Sequence, residues 1–234
     1  MIAIHKDLAN EDVIFDMNKL EVINLDTVKP KECYNALLSQ KLIEEFEKRN
    51  IEGFYCRTKE EALNKVLEMI PKDKLVSWGG SLTLQEIGLK AALQNGGYNF
   101  LDPAEPRGGE EKEKAARQAL SADFFLMNSN SIAVTGELVN IDGIGNRVAA
   151  LCFGPKTVII VAGLNKVAPN LDAAILRAKD YAAKMVASAY KQDYSSYEEL
   201  SKAAEDGCSQ LVITQKSMFK GRIKVILVGE SLGI

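Results

Sequence analysis

Histidine is almost missing from this chain: His5 is the only one in 234 residues. That excludes a multi-histidine metal site, and a serine–histidine–aspartate triad would have to rest on a residue in an unpatterned start. We read His5 as a surface residue. Cysteine is scarce as well. Cys33, Cys56, Cys152 and Cys208 lie far apart with no Cys-x-x-Cys pair, so no metal ligand set, iron–sulphur cluster or dithiol motif is expected, and reduced, mostly buried thiols are. Long apolar runs are absent too. The longest aliphatic stretch, Val158-Ile159-Ile160-Val161-Ala162, is far short of the roughly 18 residues of a membrane span. The stretch from Met1 to Asn10 places His5, Lys6 and Asp7 where a secretory signal needs apolar residues, and it lacks the Arg/Ser bias of a transit peptide, which leads us to expect a cytoplasmic protein. Finally, neither charge sign dominates. Lys and Arg number 29 against 32 Asp and Glu, a net charge of −3, so neither nucleic acid nor a membrane surface is expected as a partner.

What remains is the composition of an ordinary globular chain, 47% hydrophobic and 26% charged, long enough for one sizeable core. Residues 1–30 show no pattern and are set apart as an N-terminal extension of unknown role. Tyr34, Leu38, Leu42 and Phe46 recur every four residues on one helical face. Gly53 to Arg57 reads as a strand, and Thr58 with Glu61 forms a capping box for a helix whose buried stripe is Leu63, Val66, Leu67 and Ile70. Lys74–Trp78, Tyr98–Leu101, Phe124–Met127 and Thr157–Ala162 read as strands alternating with helices, one running from Ser81 through Ala92 and one from Gly109 to Leu120. This rhythm predicts an α/β fold with a mostly parallel, twisted sheet covered by helices on both faces, and a helical N-terminal region. A hairpin, Ile132–Val134 and Leu138–Ile141 about Thr135-Gly136-Glu137, interrupts it as an insertion in the middle of the chain. Leu171, Ala174, Ile175, Ala178, Ala182, Met185 and Ala189 mark one face of a long helix. Ser196 with Glu199 caps a short one, and Leu211–Thr214 with Arg222–Val228 reads as a closing strand pair about Gly221.

Two segments could carry chemistry. In Trp78-Gly79-Gly80-Ser81-Leu82-Thr83 a glycine turn joins a strand to a helix. Its backbone can approach a ligand closely, and helix N–H groups with the Ser81 and Thr83 hydroxyls suit an anion; equally, Ser81 or Thr83 simply caps the helix. In the loop Asp142-Gly143-Ile144-Gly145-Asn146-Arg147, Arg147 can clamp a carboxylate or phosphate through two parallel hydrogen bonds, with Gly143 and Gly145 offering backbone N–H groups. The alternative is a sharp turn in which Asp142 and Asn146 bond their own backbone. Glu137 and Asp142 are the candidate nucleophiles or general bases, Glu137 being equally the solvated tip of a hairpin. Cys152, in an apolar run, reads as a buried structural thiol. Arg107-Gly108-Gly109 opens another helix and is a candidate third wall.

The run Trp78–Gly88, the segment Asn99–Asp102 and the long stretch Thr135–Leu151 resemble the LUD domain family of bacterial lactate-utilisation proteins and their stand-alone relatives. The similarity extends from about Cys33 to the closing Lys220–Glu230, so residues 31–234 form the expected LUD domain. The resemblance implies a fold related to sugar-phosphate isomerases, CoA transferases and folate cyclo-ligases, in which anionic ligands meet loops at the strand ends. The expected ligand is a small anionic metabolite: an organic acid, an acyl-CoA or a phosphorylated compound. The expected contacts are Gly79, Gly80, Ser81, Thr83, Asp142, Gly143, Gly145, Asn146 and Arg147. The resemblance leaves two roles open, an enzyme working through Glu137 or Asp142, or a non-catalytic subunit or metabolite sensor that docks a redox protein partner. Many stand-alone relatives carry a cysteine cluster before the final strands; here that segment keeps only Cys208, which argues against a metal role.

Overall fold

The computed structural model describes residues 28–106 and 108–234, so the readings of His5, of residues 1–27 and of Arg107 lie outside it. Helix α1 (Val28–Lys48) leads into strand β1 (Glu52–Cys56), then α2 (Lys59–Glu68) and β2 (Leu75–Trp78). Two short helices, α3 (Leu82–Glu86) and α4 (Leu89–Asn95), precede β3 (Asn99–Leu101); α5 (Gly109–Ala119) then leads to β4 (Phe124–Met127). Next come β5 (Ser131–Ala133), β6 (Leu138–Asp142), α6 (Asn146–Cys152), β7 (Thr157–Gly163) and β8 (Val167–Ala168). A long helix follows as α7 (Leu171–Leu176), a π-helical turn over Arg177–Ala182, and α8 (Ala183–Tyr190). The chain closes with α9 (Tyr197–Asp206), β9 (Gln210–Thr214) and β10 (Ile223–Val228).

Six strands form a parallel sheet in the order β1-β10-β7-β4-β2-β3. The four strands expected to alternate with helices in one sheet all lie in it, together with β1 and β10. Residues Val158 to Gly163 of β7 are all buried, as a strand in mid-sheet with both faces covered demands. On one face Phe125, Met127, Val158, Ile160, Val225 and Leu227 pack with Leu42 and Phe46 of α1 and Ala150 and Leu151 of α6. On the other, Val76, Leu126, Ile159, Val161 and Ile226 meet Ala62 and Val66 of α2 and Leu84, Leu89 and Leu93 of α3 and α4. The hairpin β5–β6 is the middle of a second, four-stranded sheet ordered β8-β5-β6-β9. Leu138 and Ile132 of that sheet face the first core, whereas Val139, Ile141 and Ala133 face a third cluster beneath the alanines of α7–α9. Among the described residues no helix is long and apolar enough to cross a membrane.

Several expectations are corrected. β9 and β10 do not pair with each other: β9 joins β6 in the small sheet and β10 lies between β1 and β7 in the large one. The helix after Ser81 is broken at Gly88, whose φ of +74° stops α3 and starts α4, a conformation that favours glycine. Tyr34 is exposed while Asn35, Ser39, Leu42 and Phe46 are buried, because a repeat of four drifts around a helix of 3.6 residues per turn. Met185 is exposed and Ala189 with it, whereas Ala183 is buried: the π turn inserts one residue into the spacing and shifts the buried stripe from Ala174 and Ala178 to Ala183 and Ala187. Cysteine burial also differs, since Cys33 and Cys152 are exposed, Cys208 is half-buried and only Cys56 lies in the core. Cys152 sits at the last turn of α6, on the side turned from the sheet that Ala150 and Leu151 cover.

At the end of β3, buried Asp102 accepts hydrogen bonds from Trp78 Nε1 (2.8 Å) and the Ala104 amide (2.9 Å) and pairs with Lys90 at 2.6 Å. Burial pushes its carboxyl pKa up, but the bonds from Lys90, Trp78 and Ala104 outweigh burial and hold it below the ordinary value. The D102N variant is expected to lose about 1–3 kcal/mol at neutral pH. In urea denaturation the deficit should be full above the unfolded carboxyl pKa of about 3.9 and vanish as pH falls through the lower folded value.

Candidate functional site

The strand order reverses beside β2. From β2 the chain moves outward to β3, then returns to β4 on the other side of β2. Loops leaving β2 and β4 therefore diverge to opposite faces, which opens a crevice at the carboxyl ends of these strands, the place where open α/β sheets take ligands. Gly79 lies at that edge, its amide bonded to the Leu126 carbonyl of β4 at 3.0 Å. A Cβ on Gly79 would stand 2.9 Å from Arg147 Cγ and 3.2 Å from Phe125 Cζ, so only glycine lets the Arg147 stem pass. The two loops singled out in the sequence thus meet. Gly80 faces open space. Ser81 is buried and caps α3, its hydroxyl accepting from the Leu84 amide at 3.4 Å. Thr83 is fully buried in the first turn.

In the second loop Asp142 caps α6. One carboxylate oxygen accepts from the Gly145 amide and the other from the amides of Arg147 and Val148, at 3.1–3.2 Å. The N-terminus of α6 is thereby met by the chain's own carboxylate. Gly143 faces the Gly207 carbonyl and Gly145 the Gln210 side chain, while Asn146 is the half-exposed first residue of α6. The Arg147 guanidinium is engaged on Asn128 Oδ1 (3.0 Å), Asn130 Oδ1 (2.9 Å) and the Ile141 carbonyl, with Asp142 3.8 Å from Nε. Burial lowers its pKa, and Asp142 offsets part of that.

Residues given no role in the sequence reading complete the cluster. Asn128-Ser129-Asn130-Ser131 carries the chain from the large sheet to the small one. Besides holding Arg147, Asn130 accepts from Arg177 Nη1 through its carbonyl, and Ser131 Oγ donates to the Lys166 carbonyl at 3.1 Å. Arg177 reaches in from the π turn, a helix defect frequent at functional sites. Lys166, three residues beyond the end of β7, is fully buried. Its Nζ donates to Thr83 Oγ1 at 2.9 Å, and among the described residues no carboxylate pairs with it. Burial, with repulsion from Arg177 and Arg147 and a weaker pull from Glu86, pushes its pKa down to about 7. Asn140, fully buried and on the strand face that Leu138 turns to the large sheet, leaves both amide atoms without a partner among the described residues. In sequence the only signal was position: a polar run and a lone lysine just past apolar strands.

Glu137 stands elsewhere, at the start of β6 rather than its end. It pairs with Arg49 Nη2 at 2.5 Å and accepts from Thr135, while Arg49 also donates to the Thr135 and Gln215 carbonyls. This ties the hairpin to the end of α1. A wide cleft, about 890 Å3 between Leu151–Lys156 and Val212–Ile223, also lies at the far, amino-terminal edge of the large sheet. There the Arg222 guanidinium is engaged on the carbonyls of Ala150, Leu151 and Pro155, so this cleft presents no comparable cluster of buried charge. Among the described residues no group of three or more His, Cys, Asp or Glu side chains is arranged to hold a metal ion. The E137Q variant is expected to lose about 1–3 kcal/mol of stability in denaturant unfolding, as the partner of a half-buried guanidinium is weakened, with the slope of the transition unchanged.

Comparison with known proteins agrees with this architecture. A crystal structure of a DUF162 family protein from Deinococcus radiodurans superposes with a TM-score of 0.51 at 12% identity, covering 83% of this chain and 98% of that one. No curated protein matches the chain. The LUD domain profile matches residues 39–228, and the chain belongs to the LUD domain family.

Proposed function

We propose that this chain binds a small anionic metabolite, an organic acid, an acyl-CoA or a phosphorylated compound, in the crevice between the ends of β2, β4, β6 and β7, as a protein of the lactate-utilisation kind. The observation that carries this reading is an excess of positive charge about one fully buried lysine and two half-buried arginines. The Arg147 and Arg177 guanidinium groups meet on the Asn128–Ser131 segment, the Lys166 amine beside Thr83 is near enough to be repelled by both, and the nearby carboxylate, Asp142, 3.8 Å from Arg147, is already engaged by three backbone amides. Burying cations without counter-ions is costly, and a bound anion would relieve that cost. Perturbed titratable groups at a switch point are what a ligand site looks like. Arg177, which among the described residues donates a hydrogen bond through Nη1 alone and lies over the Tyr181 ring, is the proposed anion contact. Arg147 holds the crevice in shape, Gly80 leaves room beside it, and Glu137 plays no part.

Native mass spectrometry of freshly purified protein, followed by calorimetry with the ligand found, tests the reading. R177Q should weaken binding by about 1.5–3 kcal/mol, the worth of a charged hydrogen bond, while the fold survives. If affinity is unchanged, the ligand sits elsewhere. Lys166 gives a second, opposite readout. Replacing it in K166M should raise the stability of the ligand-free protein at pH 7, because a buried cation gives way to an apolar chain of similar length. The unfolded chain binds more protons than the folded one between the folded value of about 7 and the ordinary lysine value of 10.5. Wild-type stability therefore rises with pH across that window, and the gap to K166M should close as pH approaches 10.

A further inference from the structure

Lys166 is a poor choice for simply holding an anion. A guanidinium keeps its charge at any working pH, whereas the burial and repulsion around Lys166 favour its neutral form. A neutral amine, however, is a nucleophile. Among the described residues it is the one buried lysine. Its Nζ is held by Thr83 Oγ1, itself buried in the first turn of α3, and its backbone carbonyl is tied to Ser131. The chain Gly229–Ile234 closes over it. Leu232 is buried, the Leu232 amide and carbonyl are bonded to the Asn165 side chain at 3.2 and 3.4 Å, and the Gly233 amide is bonded to Glu86 at 2.8 Å. A Cβ on Gly233 would lie 3.3 Å from Nζ. The amine is therefore fixed in position and shielded from water beneath a segment held mostly by side-chain hydrogen bonds, with the Arg147 and Arg177 guanidinium groups near enough to repel its charged form. A desolvated lysine beside other cations is the arrangement that makes an amine reactive towards carbonyl carbon.

We propose that Lys166 captures a carbonyl-bearing carboxylate as an imine, with Arg147 and Arg177 supplying the positive field for its carboxylate. The inference rests on the anion-binding reading and narrows its ligand to an oxo acid. The Nζ lone pair adds to the carbonyl carbon, and the carbonyl π pair moves to oxygen, which takes one proton from the nitrogen. A second proton from solvent lets that oxygen leave as water, so amine, carbonyl and one proton become a protonated imine and water. Nothing is oxidised or reduced. Segment Gly229–Ile234 lifts to admit the ligand and then excludes water from the adduct.

Borohydride reduction of the full chain with pyruvate at pH 7.4, followed by peptide mapping, tests this. The expected result is a reduced pyruvate adduct on Lys166, no adduct with propionate, which lacks the carbonyl, and far less with propanone, which lacks the carboxylate. Surface lysines of ordinary pKa are neutral in only about one molecule in a thousand at this pH, so labelling should be concentrated at one site and rise through pH 7 rather than through pH 10. K166R should abolish it. Were that variant to unfold, the peptide map of the wild-type protein would decide alone. Absence of adduct while calorimetry shows pyruvate binding would overturn imine formation and leave the anion site standing. Absence of both adduct and binding for pyruvate would overturn the oxo-acid inference, and the anion site would then stand or fall on the ligand found by mass spectrometry and the R177Q variant. Adducts scattered over surface lysines, or labelling by propanone as strong as by pyruvate, would also refute it.

Discussion

The structure depends on one largely buried guanidinium. Arg147 leaves α6, runs its stem across Gly79 at the end of β2, and ends on Asn128 and Asn130 beyond β4 and on the Ile141 carbonyl of β6. A single side chain thus joins the carboxyl ends of three strands and holds the small sheet against the large one. Burying a guanidinium is tolerable only when its donors are satisfied. Two asparagine side chains and a strand carbonyl do this, which is why the segment between β4 and β5 is a polar run, Asn128-Ser129-Asn130-Ser131, placed directly after an apolar strand. Asp142 works on the same joint from the other side, fixing the start of α6 so that the Arg147 Cα stands where its reach is sufficient.

That solution leaves an electrostatic imbalance. Neutral amides satisfy hydrogen bonds but not charge, so Arg147, Arg177 and Lys166 together form a positive field that Asp142 and Glu86 offset only in part. In a region closed by Gly229–Ile234 such a field acts through a low effective dielectric and is strong. The response available to the protein is proton loss, and of the three groups only lysine can lose a proton near neutrality. The two arginines and the lysine are therefore not three copies of one function. The arginines fix the field, and the lysine's protonation state follows from it.

Much of this was legible in the sequence where the determinants are local. The glycine turn after β2 and the capping of α3 by Ser81 follow from neighbouring residues, and the parallel sheet from the spacing of apolar runs. The meeting of the Gly79 turn with the Arg147 loop was an expectation of the family resemblance, and the fold reaches it across two sheets, since Gly79 follows β2 of the large one and the Arg147 loop follows β6 of the small one. What depended on distant partners was hidden. Glu137 looked like a reactive carboxylate or a solvated tip until the fold brought Arg49, 88 positions away, against it. Lys166 and Arg177 drew no reading at all, because nothing nearby in the chain announces burial. β9 and β10 are similar apolar strands, and only the topology of two sheets decides that they part company.

The structural neighbour from Deinococcus radiodurans shares the architecture at 12% identity, and identity that low carries fold and not chemistry. The divergence of the loops after β2 and β4 is a property of strand order and survives almost any side-chain change. What lines the crevice is not protected in this way. A relative with the same sheet could replace Lys166 by an apolar residue and gain stability, or move Arg177 by losing the π turn, without disturbing the joint made by Arg147. Keeping a fully buried lysine with no carboxylate partner among the described residues is therefore the costly feature of this chain, and a cost of that kind persists where stability and function pull in opposite directions. The residues that hold the fold and those that give the crevice its chemistry are separable, although they share the Asn128–Ser131 segment.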